Sequence, residues 1–134
     1  MSGFNDQVIA EFRANGGTVS RFGSSLVLLH TVGAKSGEPR IHPVLSIAQS
    51  DGTWLIAASY AGAPQHPAWY FNLQSTPDAT IEVGTETVDV HAADVTDPDY
   101  DAAWAQFVAR SPGFADYQVR AGSRRIPVVR LSRR

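Results

Sequence analysis

The chain has 134 residues, 43% of them hydrophobic, and carries a net charge of −2. That length suits one domain with a buried core, and that composition excludes a disordered chain. A slightly acidic balance argues against a nucleic-acid partner, and the lack of any cysteine excludes disulfides, thiolate nucleophiles and thiolate metal sites.

Phe4, Val8, Ile9 and Phe12 fall at helical spacing, and Asn15-Gly16-Gly17 supplies a stop, which predicts a helix over 5–14. The N-terminal stretch has no apolar core of signal-peptide length and no run approaches a membrane span, so the cytoplasm is the expected compartment. Residues 21–25 read as a loop. Residues 26–31 barely alternate, so they read as a strand covered on both faces. Strands follow over 40–48 and 53–58, with Ser50-Asp51-Gly52 as the turn between them.

Gln65-His66-Pro67 opens a helix with Trp69, Tyr70 and Leu73 on its apolar side, and Pro77 closes it. Ile81, Val83, Val88 and Val90 alternate with polar residues around Gly84-Thr85, which predicts a β-hairpin over 80–94. Thr96-Asp97-Pro98-Asp99 is a capping signal for a helix carrying Tyr100, Trp104, Phe107 and Val108 through Arg110. Residues 127–131 form a last short strand. Arg124, Arg125, Arg130, Arg133 and Arg134 crowd the C-terminus and read as a solvated basic tail, with peripheral contact to an anionic membrane face as the sharper alternative. The sum is one α+β domain, mainly β, over 1–134. About six antiparallel strands form a small barrel, with three or four helices packed outside it.

Several familiar sites are absent. The sequence has no GxGxxG, no GxxxxGK[ST] phosphate loop, no GxSxG nucleophile elbow and no HExxH. His30, His42, His66 and His91 lack helical ligand spacing, so no metal is expected.

Three stretches carry candidate chemistry. In "TVGAKSGEPRIHP", from Thr31 to Pro43, a glycine-bracketed turn between two strands can aim backbone N–H groups at one anion. Lys35 adds a point charge, Ser36 a hydroxyl, and Arg40 a planar fork suited to phosphate or carboxylate. The competing reading is an ordinary hairpin turn with two surface cations. In "AASYAGAPQHPAWYFNL", from Ala57 to Leu73, small residues at a strand end leave room for a flat ligand. Trp69 and Tyr70 then belong either to that slot or to the core, and Asn72, if buried, needs partners in the adjacent loops. Phe114 and Tyr117 lie three apart, so one helical turn puts them on one face, either walling a pocket or plugging the core.

The blocks LLHTVGAKSGEPRIHPV, AASYAGAPQHPAWYFNL and YQVRAGSRRIPVV, in that order, closely resemble the deazaflavin-dependent nitroreductase family, small actinobacterial reductases that use reduced coenzyme F420. The resemblance runs from about Asn5 to Leu131 and implies a flavin-binding type of split β-barrel. It implies that the coenzyme's anionic tail meets Lys35, Ser36, Gly37 and Arg40. The flat ring would then lie along Ala57, Ala58 and Ser59, near Pro43 and Trp69, with Tyr60 also at the coenzyme site. It associates Ser59 and Tyr117 with the reacting substrate and Phe114 with the substrate wall. It implies hydride donation to a quinone, a nitroaromatic or an activated enone. Exposed barrel edges allow a homodimer as well as a monomer. The family's best-known nitroreductase has a lysine at the Tyr60 position, so one contact to the coenzyme tail is expected to be missing here, and tyrosines at the Ser111 and Phe114 positions, so a different acceptor preference is expected. Two other readings use the same pocket: a non-catalytic carrier of the coenzyme or a lipid-like ligand, and a split-barrel oxidoreductase using flavin mononucleotide.

Overall fold

The computed structural model describes residues 3–20 and 23–134. Six strands form a closed antiparallel barrel: β1 (Leu26–Val32), β2 (Pro39–Ala48), β3 (Trp54–Ala57), β4 (Asp78–Val83), β5 (Glu86–Asp94) and β6 (Val128–Arg133). Their order around the barrel is β1-β2-β3-β6-β5-β4, and β1 closes the ring by pairing with β4. Four helices lie outside: α1 (Gly3–Ala14), α2 (Ala68–Ser75), α3 (Tyr100–Arg110) and α4 (Gly113–Ala121).

The weak alternation of β1 has the physical cause expected of it. Val27 and Leu29 point into the barrel, where they join Ile56, Ile81, Val90 and Leu131. Leu26 and Leu28 point out, against Val8 and Phe12 of α1. Leu28 and Leu29 are both fully buried, and each contributes about 1.5–3 kcal/mol by leaving water. A third cluster forms where α3 lays Tyr100, Ala103 and Phe107 on Ile47, Leu55 and Val128. Thus β1, β2, β3 and β6 are covered on both sides, and the helices stand over their outer faces.

The expected hairpin at 80–94 is present, with Gly84 at a φ of 57° in its turn. The expected strands and helices are likewise present, with ends shifted by one or two residues, except that the helix expected from Gln65 starts at Ala68 with Pro67 as its N-cap. The side chain of Phe4 and part of the expected 21–25 loop, Arg21 and Phe22, lie outside the described residues.

Three expectations are corrected. Thr96 to Asp99 caps no helix through its side chains: α3 starts after Asp99, which makes no side-chain cap bond, and Arg125 draws the Asp97 carboxylate away at 2.8 Å. The basic C-terminus is not a solvated tail. Arg134 donates to the carbonyls of Val90 and Ala79 at 3.0 and 3.1 Å, Arg133 faces Glu86 at 3.4 Å, and Arg130 faces Thr53 at 3.3 Å. Arg125 also lies 3.5 Å over the Tyr100 ring. Finally, closure of the barrel removes the free strand edges that were to support a dimer. Among the described residues, no helix is long and apolar enough to cross a membrane.

Candidate functional site

The turn between β1 and β2 is built by two glycines and one buried amide. Gly33 N–H donates to Glu38 O at 2.8 Å and Gly37 N–H to Gly33 O at 2.9 Å, with Gly37 at a φ of 71°. A Cβ on Gly33 would meet the Ser36 hydroxyl at 2.5 Å, so glycine there is what lets Ser36 fold over the turn. Asn72 of α2 is buried and holds the turn from beneath: its Oδ1 accepts from Ala34 N–H at 2.9 Å and its Nδ2 donates to Thr31 Oγ1 at 2.9 Å. The Thr31 hydroxyl reaches His42 Nε2 at 3.1 Å. The partners expected of a buried Asn72 are therefore the neighbouring loop and strand.

This network changes the expected anion nest. The N–H groups of Gly33, Ala34, Gly37 and Glu38 are already bonded within the protein. What the turn still offers is its side chains and the N–H groups of Lys35 and Ser36, which have no acceptor among the described residues. Lys35 is exposed and makes no hydrogen bond or ion pair with a described residue. Arg40 is half-exposed; it donates to the adjacent Pro39 carbonyl at 3.2 Å and lies 3.5 Å from a Glu38 carboxylate oxygen and 3.5 Å from Ser36 Oγ.

Beyond the His42 end of β2, a cleft of about 920 Å³ opens between β2, the end of β3, the start of α2, and the α3–α4 corner. Pro43, Ala57, Ser59, Tyr60, Trp69, Phe114 and Tyr117 line it, as do His42 and Ser111. The structure thus gathers seven of the expected site residues on one surface. Lys35, Ser36, Gly37 and Arg40 stand apart on the turn and do not line the cleft. Ala58 is the exception among the ring-side residues, because it is fully buried in the barrel core. Trp69 serves both expected roles, packing into that core and closing the cleft. Phe114 also does both, packing against the α3 cluster and lining the cleft, with its ring 5.5 Å from Phe107 and 5.4 Å from Tyr117.

The segment after β3 is strained. Tyr60 and Ala61 take φ values of 48° and 53°, which L-residues with a Cβ adopt at a cost of about 1–3 kcal/mol each. Two contacts hold them there. Arg124 donates to the carbonyls of Ala58, Ser59 and Ala63 at 3.0, 2.7 and 2.9 Å, and to His66 Nδ1 at 2.9 Å. Gly62, at a φ of 79°, packs against α4 so closely that a Cβ would sit 2.6 Å from the Tyr117 carbonyl. Clamp and close approach together bring Ser59 and Tyr117 to one cleft. Burial and then the nearby Arg124 charge hold the His66 pKa below its ordinary value, which suits a ring that accepts a hydrogen bond from a guanidinium. The His42 pKa is lowered too, by burial first and then by Arg40 and His30. Among the described residues no group of side chains is arranged to hold a metal.

Sequence reasoning missed the clamp. Arg124 lies among other arginines, and nothing in its neighbours signals that it reaches back to three carbonyls more than fifty residues away. Gly62 carried a signal only in hindsight of its packing: it is one small residue among several.

The comparisons fit this geometry. A family model described as F420H(2)-dependent quinone reductase matches residues 5–132. The F420H(2)-dependent quinone reductase Rv1261c of Mycobacterium tuberculosis is 44% identical over 112 residues, covering 81% of this chain and 73% of the relative. Among solved structures, an F420-H2 dependent reductase, FDR-A, superposes with a TM-score of 0.72 at 32% identity, over 81% of this chain and 94% of the other. A second, described as a domain-swapped dimer, has a TM-score of 0.74 at 30% identity, over 95% and 93%. With the barrel, the cleft and a match over nearly the whole chain in hand, this protein belongs to the F420H(2)-dependent quinone reductase family.

Proposed function

We propose that this protein transfers a hydride from reduced coenzyme F420 to a quinone-type acceptor held in the cleft. The observation that carries the reading is the division of the site: loosely engaged cations on the β1–β2 turn, and two hydroxyls at the far end of an apolar cleft. A coenzyme with a planar ring and an anionic tail fits that division. Lys35 has no partner among the described residues, and Arg40 has only its turn neighbours Ser36, Glu38 and Pro39, so both are available to an anion. The cleft volume suits a ring with an acceptor beside it, since ligand pockets run from about 300 to 1,000 Å³.

In this reading Lys35, Ser36 and Arg40 hold the tail and Gly37 gives their turn its shape. Pro43, Ala57, Tyr60 and Trp69 flank the ring. Ala58 contributes through the barrel wall rather than through contact. Bound in its reduced form, the coenzyme supplies a hydride, which with one solvent proton turns a quinone into a hydroquinone. Ser59 and Tyr117 donate hydrogen bonds to the acceptor oxygen as negative charge develops on it. Phe114 packs on the acceptor's face, and Ser111 lines the same end. The protein works as a monomer or homodimer in the cytoplasm, without nucleic acid, and meets a membrane at most peripherally to reach a lipid-soluble acceptor.

A paired titration tests this. The reduced or oxidised deazaflavin coenzyme should bind tightly and flavin mononucleotide weakly, and the loaded protein should reduce menadione. Tighter flavin binding supports the flavin enzyme instead, and tight coenzyme binding without turnover supports the carrier.

A further inference from the structure

The acceptor end of the cleft carries a cation with no partner among the described residues. Arg110, in the last turn of α3, lines both the main cleft and a neighbouring hollow of about 350 Å³. The two cavities meet at Arg110 and Ser25, which line both. Every other described arginine has a partner. Arg13 pairs with Glu82, Arg40 with Glu38, Arg125 with Asp97, Arg130 with Asp51 and Arg133 with Glu86. Arg124 and Arg134 bind carbonyls, and Arg120 lies 5.8 Å from the Tyr117 ring centroid. Arg110 makes no hydrogen bond, ion pair or ring contact with any described residue.

The surroundings are as telling as the side chain. The sequence contains 13 Asp and Glu residues, and none of them lines either cavity. In a chain of net charge −2, this junction therefore presents positive charge alone. A cation in the last turn complements the α3 macrodipole. That role accounts for a basic residue at this position, but not for the absence of carboxylates from two adjoining cavities. The hollow adds the hydroxyls of Ser24 and Ser46 beside the apolar wall of Leu26, Val27 and Trp54. It is a place for a polar arm continued from an apolar ring.

We infer that the acceptor is a quinone bearing a carboxylate arm, with its ring beside Ser59 and Tyr117 and its carboxylate on the Arg110 guanidinium at the mouth of the second hollow. This rests on the reductase reading for the ring's position, but the carboxylate contact is an equilibrium property that does not depend on turnover. Arg110 is a specificity-determining residue: its planar fork pairs with a carboxylate through two parallel hydrogen bonds.

The probes are menadione carrying a carboxypropyl arm and the methyl ester of the same compound, whose ring chemistry is alike. Calorimetric affinity and kcat/KM are measured for both with the coenzyme-loaded protein, in wild type, Arg110→Gln and Arg110→Glu. The wild type should favour the acid over the ester by about ten-fold, as a charge-assisted pair at a partly open site allows. The preference should fall to about one in Arg110→Gln and reverse in Arg110→Glu, and added salt should weaken it in the wild type but leave Arg110→Gln unchanged. No acid preference in the wild type, or one that survives in Arg110→Gln, overturns the inference. An Arg110-dependent binding preference with no reduction of either compound upholds the anionic subsite and sinks the reductase reading instead.

Discussion

Replacing Arg124 with Leu should cost both stability and turnover, and the structure sets the size of each loss. Arg124 gives three hydrogen bonds to the carbonyls of Ala58, Ser59 and Ala63, and a fourth to His66. A bond from a charged donor contributes about 1.5–3 kcal/mol when fully made, but water reaches this half-buried site and replaces part of each. About 1 kcal/mol apiece is a fair discount, which gives about 3–4 kcal/mol in all. For a domain of this size that lowers Tm by roughly 10 °C. The strain at Tyr60 and Ala61, about 1–3 kcal/mol each, then has nothing to hold it and drives the segment toward negative φ, carrying Ser59 away from Tyr117. Losing one donor to a developing oxyanion costs about 2–4 kcal/mol of barrier, so kcat with menadione should fall about 100-fold. Coenzyme affinity should fall far less, because Asn72 holds the β1–β2 turn independently of Arg124. Thermal unfolding, steady-state menadione reduction and a coenzyme titration measure the three effects. Arg124→Lys should fall between, since an ammonium cannot fork across three carbonyls. A variant with wild-type Tm and turnover within two-fold of wild type refutes the clamp.

Four further outcomes follow from the same geometry. Ser59→Ala and Tyr117→Phe should each lower kcat by about 30- to 1,000-fold while leaving coenzyme affinity alone, as stopped-flow and titration would separate; lost affinity with normal turnover reverses their assignment. Arg40→Ala should weaken coenzyme binding about ten- to a hundred-fold and flatten its salt dependence, with little change in saturated turnover, and equal affinities at low and high salt would reduce the turn to a plain hairpin. Bulky bicyclic nitroimidazoles should be poorer acceptors than menadione, since Ser111 and Phe114 replace two tyrosine hydroxyls on the wall; matching specificity constants would refute that. The pH dependence comes from His42 and His66, whose folded pKa values lie below the ordinary 6.5. The unfolded chain therefore takes up protons first, so their contribution is present above pH 6.5 and is lost as pH falls below it. Urea unfolding from pH 8 to about 5 should show that slope, with less of it in His42→Asn; an unchanged slope in the variant removes His42 from the account.

The strands and helices were legible because their apolar residues repeat at the period of the element. β1 showed its two-sided burial in four adjacent apolar residues, and the 80–94 hairpin showed its turn in Gly84. The cleft was partly legible too. Its small residues, its aromatics and the turn glycines all lie in contiguous blocks. What the sequence hid was set by long-range partners. Arg124 looks like any basic residue until Ala58, Ser59 and Ala63 are folded beside it. Asp97 looks like a capping residue until Arg125 captures its carboxylate. The nest expected at residues 33–38 is narrower than a lone turn suggests, because Glu38 and Asn72 take the N–H groups of Gly33 and Ala34.

The central claim is that one cleft both receives the reduced coenzyme and delivers its hydride to a quinone. The most direct measurement is an anaerobic stopped-flow experiment in which protein loaded with reduced coenzyme F420 is mixed with menadione. The account predicts a single turnover in which coenzyme oxidation and hydroquinone formation rise together, one for one, and in which Tyr117→Phe slows the rise without changing its amplitude. Coenzyme that binds with wild-type affinity and stays reduced in the presence of excess menadione contradicts it.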